Sequence, residues 1–97
     1  MYKDAKGKRI REGSIVAQAI TLNHHVHIKG RYLAMPFTVN VVKKKGHDLV
    51  LDGVYCWGLL RLQKQEHLIV IDDTTDMRDV FMYFNELLEK LGVYQWH

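Results

Sequence analysis

Three histidines fall within the four residues His24-His25-Val26-His27, the densest run of metal-ligand side chains in the sequence. In an extended strand, His25 and His27 project to one side, as two ligands of a zinc ion would. A zinc centre needs three or four ligands, and no second close pair is present. His47, Cys56 and His67 would have to converge through folding. Polar surface histidines are the simpler reading, and no cofactor is expected. Asp72, Asp73, Asp76 and Asp79 could gather a hard cation, but acids at this spacing are explained more economically as caps of a following helix. Cys56 is the single cysteine. It excludes an internal disulfide, suits a reducing compartment and reads as a small core hydrophobe.

Enzyme signatures are missing. The sequence holds no serine-centred nucleophile elbow, phosphate loop, H-E-x-x-H helix or paired-cysteine zinc motif. A non-enzymatic protein is expected. Two kinds of binding chemistry remain. Basic residues crowd the start, where Lys8, Arg9 and Arg11 follow Lys3 and Lys6, and they recur at Lys43, Lys44 and Lys45. These lysines and arginines could neutralise phosphates, with Tyr55 and Trp57 as a stacking surface. The formal charge of +3 permits such contact without requiring it. Because histidine gains charge below pH of about 6.5, binding to a polyanion would then strengthen on acidification. The other chemistry is protein association. Aromatics dominate binding hot spots, and Tyr2, Tyr32, Tyr55, Trp57, Tyr83, Tyr94 and Trp96 are more than a small core needs, with Tyr55, Trp57, Tyr94 and Trp96 the candidate contacts. Their partner would be another protein or a second copy of the chain.

The elements that must position these residues follow from pattern. Ninety-seven residues, 47% hydrophobic and 26% charged, suit one globular domain. That length favours a shallow binding surface over a deep cleft. No basic-then-apolar leader follows Met1, and no run approaches the roughly 18 apolar residues of a membrane span, so a cytoplasmic protein is expected. Asp4 to Gly7 reads as a turn, and Gly13 as a second one before the β-branched stretch Ser14-Ile-Val-Ala-Gln-Ala-Ile20. Residues 21–35 read either as a ragged hairpin turning at Lys29-Gly30, with Val26, Ile28 and Tyr32 on one face, or as a long loop. Pro36 belongs at a strand start. Phe37, Val39 and Val41 then alternate with Thr38 and Asn40, predicting a half-buried strand that ends at a lysine-bearing tip. Asp52-Gly53 predicts a two-residue hairpin turn pairing Leu51 with Val54 and Leu49 with Cys56. Leu60 and Leu62 alternate with Arg61 and Gln63 as a further strand. A polar turn at 63–67 leads into Leu68-Ile-Val-Ile71.

The period then changes. Met77, Val80, Phe81, Phe84, Leu87, Leu88 and Leu91 recur at spacings of three and four, with Asp73 to Asp76 supplying capping oxygens and Gly92 a stop. Burying all seven would contribute on the order of 10–20 kcal/mol before entropy costs. The stripe must be covered, and the chain's own strands are the expected cover.

The opening Asp4-Ala-Lys-Gly7-Lys-Arg-Ile10-Arg-Glu-Gly13-Ser-Ile15-Val16 resembles that of small SH3-like β-barrel proteins, the YopX-like proteins of phages and prophages among them. Ser14 replaces the acidic residue usual in that pattern, and the C-terminal helix lies outside it. The resemblance implies an SH3-like core and an accessory role in a phage or mobile element, which would place the protein in a host cytoplasm. It carries over no catalytic residue. The expected architecture is α+β and mainly β. Residues 1–72 form a small SH3-like barrel or strongly bent antiparallel sheet, 73–92 an amphipathic helix packed on it, and 93–97 a tail, within one domain.

Overall fold

β-Branched residues crowd positions 15–20 and 37–42, and these two stretches become adjacent strands at the centre of the molecule. The computed structural model describes residues 1–21, 25–28, 31–34, 36–53 and 57–92, by backbone alone at 25–28, 31–34 and 57. In chain order the strands are β1 (Tyr2–Lys3), β2 (Arg9–Ile10), β3 (Ile15–Ala19), β4 (His25–Ile28), β5 (Arg31–Ala34), β6 (Phe37–Lys45), β7 (Asp48–Gly53), β8 (Trp57–Leu59) and β9 (Leu68–Ile71). Short 3-10 turns occupy Leu60–Leu62 and Gln65–His67, and helix α1 spans Met77–Lys90. The main sheet is antiparallel with order β8-β7-β6-β3-β9, while β1-β2 and β4-β5 form separate hairpins. Strands β8 and β9 are the two edges, so the described sheet is open and not closed into a barrel.

Each face of this sheet has its own core. Residues two apart share a face, and the register aligns Val16 with Val70 and Val42 with Leu51. These four pack with Ile10, Leu60 and Leu68, so the β1-β2 hairpin and the first 3-10 turn cover this side. On the opposite face Ala17 aligns with Ile69 and Ala19 with Phe37, and there Val80, Phe84 and Leu88 of α1 supply the cover. The small alanines let the helix sit close to the sheet.

The expected seven-residue stripe is narrower in fact. Val80, Phe84 and Leu88 are buried and Leu87 half-buried, whereas Met77, Phe81 and Leu91 are exposed. Three fully buried large side chains contribute about 5–9 kcal/mol before entropy costs, roughly half the sum expected for seven. The helix also begins later than residue 73. Asp76 is its N-cap, accepting from the Arg78 N–H at 3.0 Å. The preceding turn is organised by Asp72, whose carboxylate accepts from the Thr74 N–H at 2.9 Å. Gly92 closes the other end with φ 74°, its N–H donating to the Glu89 carbonyl.

Four further sequence expectations change. Leu51 aligns with Gly58, not Val54, because β7 runs through Gly53 and pairs with β8. Gly53 lies opposite Asn40 in close packing, as described below, and the pairing of Asp52 with Trp57 makes the link longer than two residues. Lys43, Lys44 and Lys45 lie within β6, opposite Val50, Leu49 and Asp48, and the tip falls at Gly46 with φ 63°. Leu60–Leu62 is a 3-10 turn that buries Leu60 and exposes Leu62, since three residues per turn cannot put both on one side. Residues 25–34 pair as a hairpin, but Tyr32 aligns with His27, not with Val26 or Ile28. The predicted partners Val54 and Cys56 lie outside the described residues.

One buried carboxylate joins the N-terminal turn to the sheet. Asp4 is 1% exposed. Its Oδ1 accepts from the Lys6 and Lys8 N–H groups at 2.9 and 2.7 Å, and its Oδ2 from the Val70 N–H at 2.7 Å. A carboxylate leaves water only where other donors replace it, and three backbone N–H groups do so here. The turn itself closes through Gly7, whose φ of 82° is open to glycine and whose N–H donates to the Asp4 carbonyl. Nearby, the Ala5 N–H donates to the Leu68 carbonyl at 2.8 Å. Edge strands attract foreign strands through unpaired backbone groups, and the turn occupies those of β9 at Leu68 and Val70.

Tyr83 ties the helix to the same region. Its hydroxyl donates to the Glu66 carbonyl at 2.5 Å, and the Lys6 ammonium lies 5.0 Å above its ring. Next to Glu66 in sequence, His67 has a buried Nε2 with no hydrogen-bond partner among the described residues. Burial holds its pKa below the ordinary histidine value, with Lys64 adding to that and Glu66 opposing it.

Two outcomes follow from these contacts. Asp4→Ala leaves three N–H groups unpaired and should lower unfolding free energy by about 3–5 kcal/mol in urea titration, with Asp4→Asn losing less. Burial makes His67 bind a proton less readily when folded than when unfolded. Its contribution is therefore complete above about pH 6.5 and is lost as pH falls through the lowered folded value. Thermal melts should show Tm falling across that window in the wild type and falling less in His67→Gln.

Candidate functional site

The stretch that follows the Asp4 turn, Lys8 to Ser14, becomes the wall of a groove. Ile10 points into the core, so Arg9 and Arg11 on either side of it face outward. The loop after them is pinned to β6: the Gly13 N–H donates to the Val42 carbonyl at 2.8 Å, and the Val42 N–H to the Ser14 carbonyl at 2.9 Å. Gly13 adopts φ 89°, and Ser14 Oγ accepts from the Arg11 N–H at 3.0 Å. Between this wall and the end of β9 lies an open groove of about 510 Å³. Its floor is Ile15, Val70 and Ile71, and its charged rim is Lys8, Arg9, Arg11 and Asp72.

The rim is less basic than its composition implies. Lys8 forms an ion pair with Asp72, and that contact together with the Thr74 hydrogen bonds holds the Asp72 carboxyl well below the usual carboxylate range. Asp72 thus remains anionic across ordinary pH and keeps Lys8 engaged. Arg9 and Arg11 have no ion-pair partner among the described residues.

An apolar strip adjoins the groove. On the face that α1 covers, Val41, Ile15 and Ile71 form one cross-strand row, and Val39, Ala17 and Ile69 the next. The helix covers Ala17 and Ile69 but leaves Val39 at 48%, Val41 at 40% and Ile15 at 44% exposed. Phe81, exposed on the flank of the helix, meets Phe37 edge-on at 4.8 Å between ring centres. The sequence expectation for β6 holds at Phe37, which is buried, and reverses beyond it. Asn40 and Val42 are buried and Val39 and Val41 exposed, because the opposite face carries the larger core and α1 reaches only the Phe37 end of this one. A signal for this surface existed. Ile15-Val16 and Val41-Val42 are adjacent apolar pairs, and neighbours on a strand must point to opposite faces.

Tyr55, Tyr94 and Trp96 lie outside the described residues, as does the side chain of Trp57, whose backbone pairs with Asp52 in β8. His25 and His27 are placed by backbone alone in β4. Among the described residues no group of three or more His, Cys, Asp or Glu could hold a metal ion. The two basic clusters line separate cavities: Lys8, Arg9 and Arg11 line the groove, and Lys43, Lys44 and Lys45 a pocket of about 220 Å³. Lys43 pairs with Asp52 at 2.6 Å. No helix among the described residues is long and apolar enough to cross a membrane.

Beneath the opposite face, a chain of amides connects the strands. Gln18 Nε2 donates to Gln63 Oε1 at 2.7 Å, and Asn40 Nδ2 lies 3.4 Å from both Gln18 Oε1 and Thr38 Oγ1. Asn40 is 1% exposed and its Oδ1 has no hydrogen-bond partner among the described residues. That oxygen occupies the space over Gly53, where an added Cβ would lie 2.1 Å from it. Gly53→Ala should therefore cost about 1–3 kcal/mol in chemical denaturation. Adding Asn40→Ala should recover part of the loss, a non-additivity readable in a double-mutant cycle.

Comparison of the chain with family models, with curated proteins and with solved structures finds no match.

Proposed function

We propose that the protein is a non-enzymatic binding module that works by protein–protein association through the strip at Ile15, Val39 and Val41. The single observation behind this reading is that three β-branched residues of two central strands stand 40–48% exposed in adjoining rows, beside a helix that stops short of them. Contiguous exposed apolar surface is the ordinary mark of an interaction site. The likeness of the opening to YopX-like, SH3-like proteins supports an accessory role of this kind in a phage or prophage, exercised in the cytoplasm. Aliphatic Ile15, Val39 and Val41 take the place that aromatics hold in the sequence reading.

Nucleic-acid binding is the second reading, favoured by Arg9 and Arg11 facing a common groove. Ion pairing of Lys8 and Lys43 weakens it, since phosphate affinity scales with the number of cations available.

A photo-crosslinking side chain introduced in place of Val39 tests the first reading. Irradiation should yield one discrete protein adduct, either a dimer or a second protein. It should disappear with Val41→Asp and not form when the crosslinker replaces exposed Glu86. Adducts to nucleic acid alone, or equal adducts from both positions, would contradict protein association.

A further inference from the structure

We infer that the groove and its adjoining strip receive an acidic amphipathic peptide segment, with apolar side chains on Ile15, Val41 and Ile71 and carboxylates on Arg9 and Arg11. This rests on the protein-association reading and names the class of partner. Three observations point to it. Ile15 belongs to both surfaces: it is part of the groove floor and sits in one cross-strand row between exposed Val41 and half-buried Ile71. A ligand seated on Ile15 therefore touches aliphatic carbon and arginine together.

The second observation concerns charge. With Lys8 held by Asp72, the groove keeps two guanidiniums, each able to take a carboxylate in bidentate fashion. They flank inward-pointing Ile10 on the segment that lines the groove, so both can meet acidic side chains of one bound peptide. The third observation separates peptide from nucleic acid. Bases need flat aromatic platforms, whereas Ile15, Val41 and Ile71 offer branched aliphatic ones. Strand addition at β9 is closed, because the Val70 N–H and Leu68 carbonyl are already bonded to Asp4 and Ala5. Recognition therefore runs through side chains.

Fluorescence anisotropy on the full chain tests this with short labelled peptides of defined composition. A peptide alternating glutamate with leucine should bind saturably. Versions carrying lysine for glutamate, or serine for leucine, should bind at least about tenfold more weakly. Arg9→Gln with Arg11→Gln should weaken the glutamate–leucine peptide by a similar factor, as should the near-isosteric Val41→Thr, with circular dichroism confirming that each variant folds. Equal binding of the glutamate and lysine peptides would overturn the inference, as would an unchanged affinity in the double arginine variant. Tighter binding of an oligothymidine strand than of the acidic peptide would also overturn it, in favour of the nucleic-acid reading. A specific adduct at Val39 without preference for the acidic peptide removes this inference and leaves protein association standing, whereas loss of both removes both.

Discussion

A carboxylate with three backbone donors holds the N-terminal turn against the last strand, and most of the architecture depends on it. Asp4 collects the amides of its own turn with one oxygen and reaches Val70 across the molecule with the other. That link adds to the packing of Ile10 and Tyr2 and to the Ala5–Leu68 and Gly13–Val42 backbone bonds that seat the β1-β2 hairpin on the sheet. A two-stranded hairpin of this size is not stable on its own. With these contacts, the hairpin covers one core, the free edge of β9 is capped, and Lys8, Arg9 and Arg11 are held beside Ile15 and Ile71. Fold, edge protection and binding groove share one anchor.

The exposed strip has a different origin, in the unequal covering of the two sheet faces. One face is closed by the hairpin and a 3-10 turn over Val16, Val42, Leu51, Leu68 and Val70. The other is closed by a single helix that presents Val80, Phe84 and Leu88 as one ridge over two alanines, Phe37 and Ile69. A ridge four residues apart at each step is narrow, so it leaves the Val39 and Val41 side of β6 to solvent. The helix that stabilises the sheet thereby defines the boundary of the proposed contact surface.

What was legible in the sequence was set locally. The turn at Asp4 to Gly7, the strand after Gly13, the last strand and the helix with its Gly92 stop each follow from short-range chemistry, and each is present. The coarse class, a mainly β α+β sheet with one C-terminal helix, follows from them. What was not legible depended on partners distant in the chain. Asp52-Gly53 carries a strong hairpin signal, yet Gly53 is required by the Asn40 amide lying over it from the neighbouring strand. Phe37, Val39 and Val41 alternate as an inward face would, but which face of β6 is inward is decided by Val42 and Leu51 and by where the helix ends. The groove was half visible. Arg9 and Arg11 stood out by charge, while the neutralisation of Lys8 by an aspartate 64 positions away could not be read from spacing.

Hydrogen exchange at the Val70 amide tests the anchoring role of Asp4 most directly. This N–H lies on an edge strand, and its acceptor is the Asp4 carboxylate instead of a neighbouring strand. If the turn is locked to the sheet as described, Val70 should exchange only through global unfolding, at the rate of the central Val16 and Ala17 amides. Exchange at the fast rate of an open edge, with the β3 amides still protected, would show that the turn opens independently and would contradict the account.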